Sequence, residues 1–396
     1  MKLFKLRRAF GLFAIFILLS TSIACDMLQP IDPQPSPSVV LVDENNDDDL
    51  GNNDDTEEPT HVDNDHDDSD NDPDNDSDSQ KSLKSFFPVY PNSRLVYEGE
   101  GNEFAFFNVY TDYTSDNKTQ QRIDNGGTQS IRVIEIFDDA IIQKVFRGEV
   151  YYRENLTNAD GETEEILLKA PLEIGNAWTL SDGNTRKITD IDVDISTPLG
   201  NYKAIEVTTE GEYGSSIDYY AEDVGLIKTV YHSEGTKVTS TLSQIEKDIP
   251  FVQIVNFYFP SIEDSSLLYY VSKEIPFKTN DITRMTLEKA YKEAFGDGGD
   301  EVGKVFSENT KINSLYLNKD GMVYIDLSKD YLTEMSAGAG YESAMLQSIA
   351  NTFGQYYHVE KVLLTIDNEL YSSGHIKLEK GEALSVNYEI SKSVKR

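Results

Sequence analysis

The sequence predicts a multidomain exported protein. An all-β antiparallel module, a sandwich or curved sheet, is followed by an α+β domain with a mixed sheet and two helices, both behind a disordered acidic tether. Three observations carry this expectation. An apolar leader ends at the chain's single cysteine, and eighteen acidic residues crowd Asp43 to Gln80 with no lysine or arginine among them. Beyond that run, alternating apolar residues give way near residue 280 to a helical period, so two kinds of architecture follow one another.

Residues 1–24 read as a signal peptide. Lys2, Lys5, Arg7 and Arg8 precede the apolar run "FGLFAIFILL", which falls short of the roughly 20 residues a membrane-spanning helix needs. "Ser22-Ile23-Ala24-Cys25" then resembles a bacterial lipobox, with Ser22 where leucine is usual. A lone cysteine cannot close an internal disulfide. The resemblance implies cleavage after Ala24 and lipidation of Cys25, with two acyl chains giving stable attachment to the outer face of the cytoplasmic membrane.

Residues 25–83 read as the tether. Almost nothing in "DENNDDDLGNNDDTEEPTHVDNDHDDSDNDPDNDSDSQ" can bury apolar surface, so the entropy of ordering is not offset. As a flexible coil it spans roughly 40 Å. Asp63, Asp65 and Asp67 are spaced like the first ligands of a helix–loop–helix calcium site, but Asp68 and Asp74 stand where that loop needs Gly and Glu. A solvated tether is therefore expected, with no built metal site and no cofactor. The net charge of −35 argues against nucleic acid, because no basic stripe is available to displace counterions from phosphates.

Residues 84–248 carry the all-β pattern. "SRLVYEG", "SIRVIEIF", "EEILLKAP", "YKAIEVTTEG" and "GLIKTVYH" are among its runs, with turn signals at Asn125-Gly126-Gly127, Asp160-Gly161, Asp182-Gly183 and Leu199-Gly200. Trp178 is expected in the core. For Phe104, Phe106, Phe107 and Tyr110, packing is favoured over stacking on a sugar. The phrases "PLEIGNAWTL", "TPLGNYKAIEV" and "YYAEDVGLIKTVYH" resemble a β-rich module of secreted bacterial lipoproteins, which supplies a fold hint only.

Residues 251–390 predict the order β-β-α-β-β-α-β. "NDITRMTLEKAYKEAFG" reads as a helix capped by Asn280 or Asp281, with Leu287, Ala290, Tyr291, Ala294 and Phe295 on one face and Gly296 near its end. A hairpin is expected around Lys319-Asp320-Gly321. Gly338 and Gly340 open the second helix, whose Met345, Ile349, Phe353 and Tyr356 face the sheet. A strand in "EKVLLTID" and a last one near "ALSVNYEI" complete the pattern.

This segment resembles the GerM-type sporulation and spore germination domain. "NTKINSLYLNKDGMVYIDLSKDYL", "GAGYESAMLQSIANTFGQYYHVEKVLLTIDNE" and "GHIKLEK" follow one another in the family's order, and Asp326-Leu327-Ser328 and Gln347-Ser348-Ile349-x-Asn351-Thr352 are close to its pattern. Phe353 stands where leucine is usual, and Asn368-Glu369 replaces a Gly-containing turn. The resemblance implies a non-enzymatic, lipid-anchored envelope protein of a Gram-positive spore-former. Its expected partners are the membrane, envelope or sporulation proteins, or further copies of itself assembling into a ring. A surface module that recognises cell-wall glycan through the all-β part is the alternative.

Catalytic constellations are sparse. His61 and His66 lie in the tether, and His232, His358 and His375 are scattered; His358 suits a helix C-terminus. Ser372 and Ser373 beside His375 lack a nucleophile elbow. Asp297 and Asp300 in "GDGGDE" read as a helix-ending loop rather than a cation site. The helix-opening glycines lack a third glycine at Ser343 and a following Gly-Lys-Ser, and Glu342 would repel a phosphate, so no nucleotide site is expected.

Overall fold

Period-two burial governs the first half of the chain. The computed structural model describes residues 82–212 and 214–394; Ala24, Cys25, His61, His66 and the Asp63–Asp74 stretch lie outside the described residues. Twelve antiparallel strands follow a 3-10 turn over Leu83–Phe86: β1 (Ser93–Glu100), β2 (Phe107–Ser115), β3 (Lys118–Asp124), β4 (Gln129–Ile136), β5 (Ala140–Gly148) and β6 (Glu165–Lys169), then β7 (Ala177–Thr179), β8 (Thr185–Thr197), β9 (Gly200–Gly211), β10 (Gly214–Ala221), β11 (Gly225–Ser233) and β12 (Thr236–Lys247). Their spatial order is β6-β5-β4-β3-β2-β1-β12-β11-β10-β9-β8-β7. Two six-stranded meanders thus meet where β1 pairs with β12, from Ser93↔Lys247 to Glu100↔Thr239. Turn chemistry sets these hairpins: Glu234 and Gly235, between β11 and β12, both have positive φ, as a tight two-residue hairpin needs.

The sheet curls until its ends approach. Ile134, Ile141 and Leu168 of one meander pack with Trp178, Ile188, Val207 and Tyr220 of the other, and Leu83 and Phe86 plug the same cluster. Trp178 is in the core, as expected, and its indole N–H donates to the Ile166 carbonyl of β6 at 3.0 Å, which ties the two end strands together. Such a contact meets the one polar group of a buried indole.

The remaining elements are β13 (Phe251–Pro260), β14 (Leu268–Phe277), α1 (Thr283–Asp297), β15 (Ile312–Leu317), β16 (Val323–Leu327), α2 (Asp330–Thr333), α3 (Ala339–Tyr357), β17 (Lys361–Ile366), β18 (Glu369–Leu370), β19 (Leu384–Ser385) and β20 (Ser391–Ser393). They build a three-stranded sheet, β13-β14-β20, and a five-stranded one, β15-β16-β17-β18 with β19 beside β17. The parallel pair β16–β17 is joined through α3, the crossover that parallel neighbours require. Phe257, Phe259, Leu287, Tyr291, Ile325, Ile349, Phe353 and Leu364 share one core between helices and sheets. Tyr291, fully enclosed, donates its hydroxyl to the Tyr258 carbonyl at 2.6 Å. Among the described residues, no helix is long and apolar enough to cross a membrane.

Two expectations are corrected here. The strand predicted near "ALSVNYEI" is two short pieces in different sheets, because β19 joins β17 while β20 joins β14. Helix α1 starts after Ile282 with no side-chain cap. The predicted caps are occupied elsewhere: Asn280 Oδ1 accepts from the Thr114 N–H, and Asp281 Oδ2 from the Lys278 N–H, both at 2.8 Å.

Those contacts belong to a larger junction, for the described residues all fall in one compact unit, Lys81–Arg396. Arg153, in the connection between β5 and β6, is 1% exposed. Its guanidinium donates to the carbonyls of Asp112 at 2.6 Å and Lys278 at 2.8 Å, to the Tyr113 hydroxyl at 3.0 Å and to the Asp281 carbonyl. It lies 4.2 Å from the Tyr113 ring centroid and 5.1 Å from that of Phe277. Asp112, equally buried, sits 3.0 Å from Arg122 and 3.7 Å from Arg153. Removing one member of such a group leaves an uncompensated charge. Arg153→Ala should therefore lower stability by about 3–5 kcal/mol in urea denaturation, and Arg153→Lys should restore little, since an ammonium lacks the planar fork. A loss below about 1 kcal/mol would show that the junction is not held by this group.

Candidate functional site

Gly338, which opens α3, borders a concavity beside the C-terminal sheets. Gly338 precedes the helix at φ −79° with no side-chain cap, and space for a Cβ is open around it. Backbone strain therefore does not explain this glycine. The Glu334–Gly338 strap before α3 separates two clefts, of about 380 Å³ and 360 Å³, and Met335 and Ala337 line both. The first is also walled by Leu332, Glu342, Ser373 and His375. The second is walled by Lys304, Tyr331, Tyr341 and Met345, among others.

Glu342, read from the sequence only as a charge that would repel a phosphate, is fully buried. Its Oε1 accepts from the Tyr371 hydroxyl at 2.7 Å and from Ser373 Oγ, so the loop after β18 is pinned onto the first turn of α3. A carboxylate in that turn also suits the positive end of the helix dipole. Burial, and then the hydrogen bond to Glu342, raise the pKa of Tyr371. Burial does the same to Tyr331, with Tyr371, Tyr291 and the Glu342 carboxylate adding to it. Both phenols therefore stay neutral at ordinary pH. Nothing in the local sequence marks Glu342 as buried except its place beside the inward Met345.

The Ser-His proximity resolves into a turn. Ser373 Oγ receives the backbone N–H groups of His375 and Ile376 at 3.0 Å while donating to Glu342, so His375 reaches it through its main chain and not through its imidazole. A base that activates a serine must take the hydroxyl proton through a ring nitrogen. His358 occupies the C-cap of α3 in a left-handed conformation, with its ring against Tyr151. Asp297 pairs with Lys273 at 2.9 Å at the end of α1. Among the described residues no group of three or more His, Cys, Asp or Glu could hold a metal ion. Phe107 and Tyr110 pack as expected, Phe107 on Tyr97 and Tyr110 against Phe251. Phe104 and Phe106 differ: they stand 47% and 40% exposed in the turn after β1, where no strand buries them.

The family-like residues are engaged in packing. Asp326 accepts from Thr365 Oγ1 at 2.6 Å, the Asn368 N–H at 2.7 Å and Asn313 Nδ2 at 2.8 Å, joining β15, β16 and β17 to the turn that follows. That turn holds Asp367 and Asn368 at positive φ, which stands in for the missing glycine. Asn351 donates to the Asn387 carbonyl and accepts from its N–H, both at 2.7 Å, while Gln347 reaches the Ser385 carbonyl at 2.8 Å. Thr352 Oγ1 accepts from the Tyr258 N–H of β13 at 3.0 Å. Asn351→Ala should cost about 1–3 kcal/mol. It should also raise hydrogen exchange in 384–393 while leaving β15 and β16 protected; unchanged exchange there would refute the clamp.

Comparison with known proteins places these observations. Residues 256–372 match the Germane family model, described as sporulation and spore germination. No curated protein matches the chain. Among solved structures, a Bacteroides fragilis protein described as exported, with a YmcC-like fold, is 12% identical; 41% of this chain and 99% of that one are covered, at a TM-score of 0.28. The tandem GerMN domains of the Bacillus subtilis sporulation protein GerM are 19% identical, with 34% of this chain and 46% of that one covered, at a TM-score of 0.26. A Clostridium perfringens protein described as a lipoprotein is 20% identical, with 34% and 87% covered, at a TM-score of 0.21. With the ordered motifs and their packing roles already in hand, residues 256–372 are a Germane domain, of the sporulation and spore germination family.

Proposed function

We propose that this protein is a lipid-anchored, non-catalytic component of the cell envelope of a Gram-positive spore-former, acting in sporulation or spore germination through protein–protein assembly of its Germane domain. The observation that carries the reading is the family match over 256–372, on a domain whose characteristic side chains are engaged in packing. What remains for recognition is surface. Ile262, Ile282 and Met285 are apolar side chains there with more than half of their area exposed. Lipidation at Cys25 after cleavage at Ala24 would hold the chain at the outer face of the cytoplasmic membrane, with residues 25–83 spacing the folded unit from it.

Deleting the gene should reduce heat-resistant spores or slow germination. The wild-type chain should restore the phenotype, and Cys25→Ala, released from the membrane fraction, should not. Full rescue by a soluble Cys25→Ala chain would refute the anchor's role. The same released chain should form oligomers in sedimentation velocity, since assembly is assigned to the Germane domain. A persistent monomer, retained instead on purified peptidoglycan and freed by Phe104→Ala with Phe106→Ala, would move the function to glycan recognition by the β-sheet, a reading that the exposure of those two rings favours.

A further inference from the structure

The inner face of the curled β-sheet carries a polar layer beside its apolar core. Side chains two apart on a strand share a face. Arg132, Arg186 and Asp218 stand two residues from Ile134, Ile188 and Tyr220 of the enclosed cluster, so all three point inward, from β4, β8 and β10. Arg186 is fully engaged there. It pairs with Asp218 and lies 3.6 Å from Glu165, while Thr229 Oγ1 donates to Asp218 Oδ1 at 2.8 Å and Gln143 Nε2 to Glu165 Oε2 at 3.1 Å.

Arg132 is engaged only in part. Its Nε donates to Gln121 Oε1 at 3.0 Å, and its two terminal nitrogens make no hydrogen bond or ion pair among the described residues. The Tyr220 hydroxyl, from the other meander, is likewise without a partner among them. These three atoms are not sealed: Arg132 is half-buried, Tyr220 is 3% exposed, and none of the three is among the enclosed unpaired atoms of the fold, so a solute can touch each. Glu165, whose side chain is 34% exposed, opens the same layer to solvent. Burial lowers the Arg132 pKa, while the Tyr220 and Tyr97 phenols and the Glu165 and Asp218 carboxylates oppose it, which gathers these groups around one guanidinium. It stays charged at ordinary pH.

The unused capacity is therefore one of donors. The terminal nitrogens of a guanidinium present their N–H groups in a planar fork that matches a carboxylate. The charge of Arg132 disfavours a cation, and an apolar solute would leave the fork unmet. A dianion would bring two charges toward Glu165 and Asp218 against one unpaired guanidinium, where a monocarboxylate brings one. We propose that the inner face of the β-sheet binds a small organic monocarboxylate, its oxygens accepting from the terminal nitrogens of Arg132 and from the Tyr220 hydroxyl. The chain's net charge of −35 works in the same sense, opposing highly charged anions most. Carboxylate binding and assembly of the Germane domain use different parts of the chain, and either can fail alone.

The test is calorimetric titration of the purified full-length chain with isobutyrate, with isobutyramide as the neutral isostere and inorganic phosphate as the more highly charged anion. Saturable binding of isobutyrate at a single site is expected, with a preference of about ten-fold or more over both others. Arg132→Gln should remove that preference. Because Arg132 also holds Gln121, Tyr220→Phe provides a second variant, one that deletes only a hydroxyl without a partner. It should weaken isobutyrate binding about three- to ten-fold with an unchanged melting temperature. Equal binding of acid and amide, equal or tighter binding of phosphate, undiminished isobutyrate binding by Tyr220→Phe, or no saturation by about 50 mM isobutyrate would overturn the proposal.

Discussion

A guanidinium shut away from water destabilises a fold unless its donors are met, and the two terminal nitrogens of Arg153 meet theirs with groups drawn from both halves of the molecule. The Asp112 carbonyl and Tyr113 hydroxyl come from β2, while the Lys278 and Asp281 carbonyls come from the turn into α1. The same segment contributes its own backbone, as the Arg153 N–H donates to the Tyr356 hydroxyl near the end of α3 at 3.1 Å. Asn92 and Thr279 add a reciprocal pair of bonds, N–H to side chain in each direction, at 2.8 and 2.9 Å. Where a flexible linker would leave two bodies free to reorient, this junction fixes the start of one helix and the end of another to the large sheet. Buried charge of this kind is weak evidence for added stability and better evidence for one specified arrangement, because any other docking would strand it.

That junction also explains why α1 lacks the cap its sequence advertises. Asn280 and Asp281 are good capping residues in isolation, and a local reading assigns them so. In the folded chain Asn280 serves the edge of β2 and Asp281 closes its own turn, while Arg153 donates to the Lys278 and Asp281 carbonyls beside them. Tertiary demand has overridden local propensity. The same cause hides the junction from the sequence: Asp112 lies at a β-bulge between Thr111 and Tyr113, where alternation no longer tells inside from outside. Arg153 sits in a connection with no period at all.

What alternation and helical spacing could read, they read well. The β-rich stretch, the inward Trp178, the Lys319-Asp320-Gly321 hairpin and the buried faces of α1 and α3 follow from residue period and turn chemistry alone. The end of the chain did not yield in the same way. Of "ALSVNYEI" only Leu384-Ser385 forms a strand, and β20 follows it in the other sheet, while Asn351 and Gln347 hold the backbone at Asn387 and Ser385 against α3. At the candidate cleft the helix was legible and the site was not. The burial of Glu342 comes from tertiary contact, through the return of Tyr371 and Ser373 from beyond β18.

The motif residues of the Germane domain therefore specify a shape more than a chemistry. Asp326 gathers three strands and a turn, Asn351 and Gln347 hold the C-terminal segment, and Thr352 supports β13. Side chains so employed have little capacity left for a ligand or a reacting group, since each donor and acceptor they use in packing is one fewer for anything else. Glu342 is the informative contrast. It lies on the same helix and is as deeply enclosed, yet one of its carboxylate oxygens has no hydrogen-bond partner. A side chain's place on the helix therefore does not fix how many of its hydrogen-bond positions the packing uses.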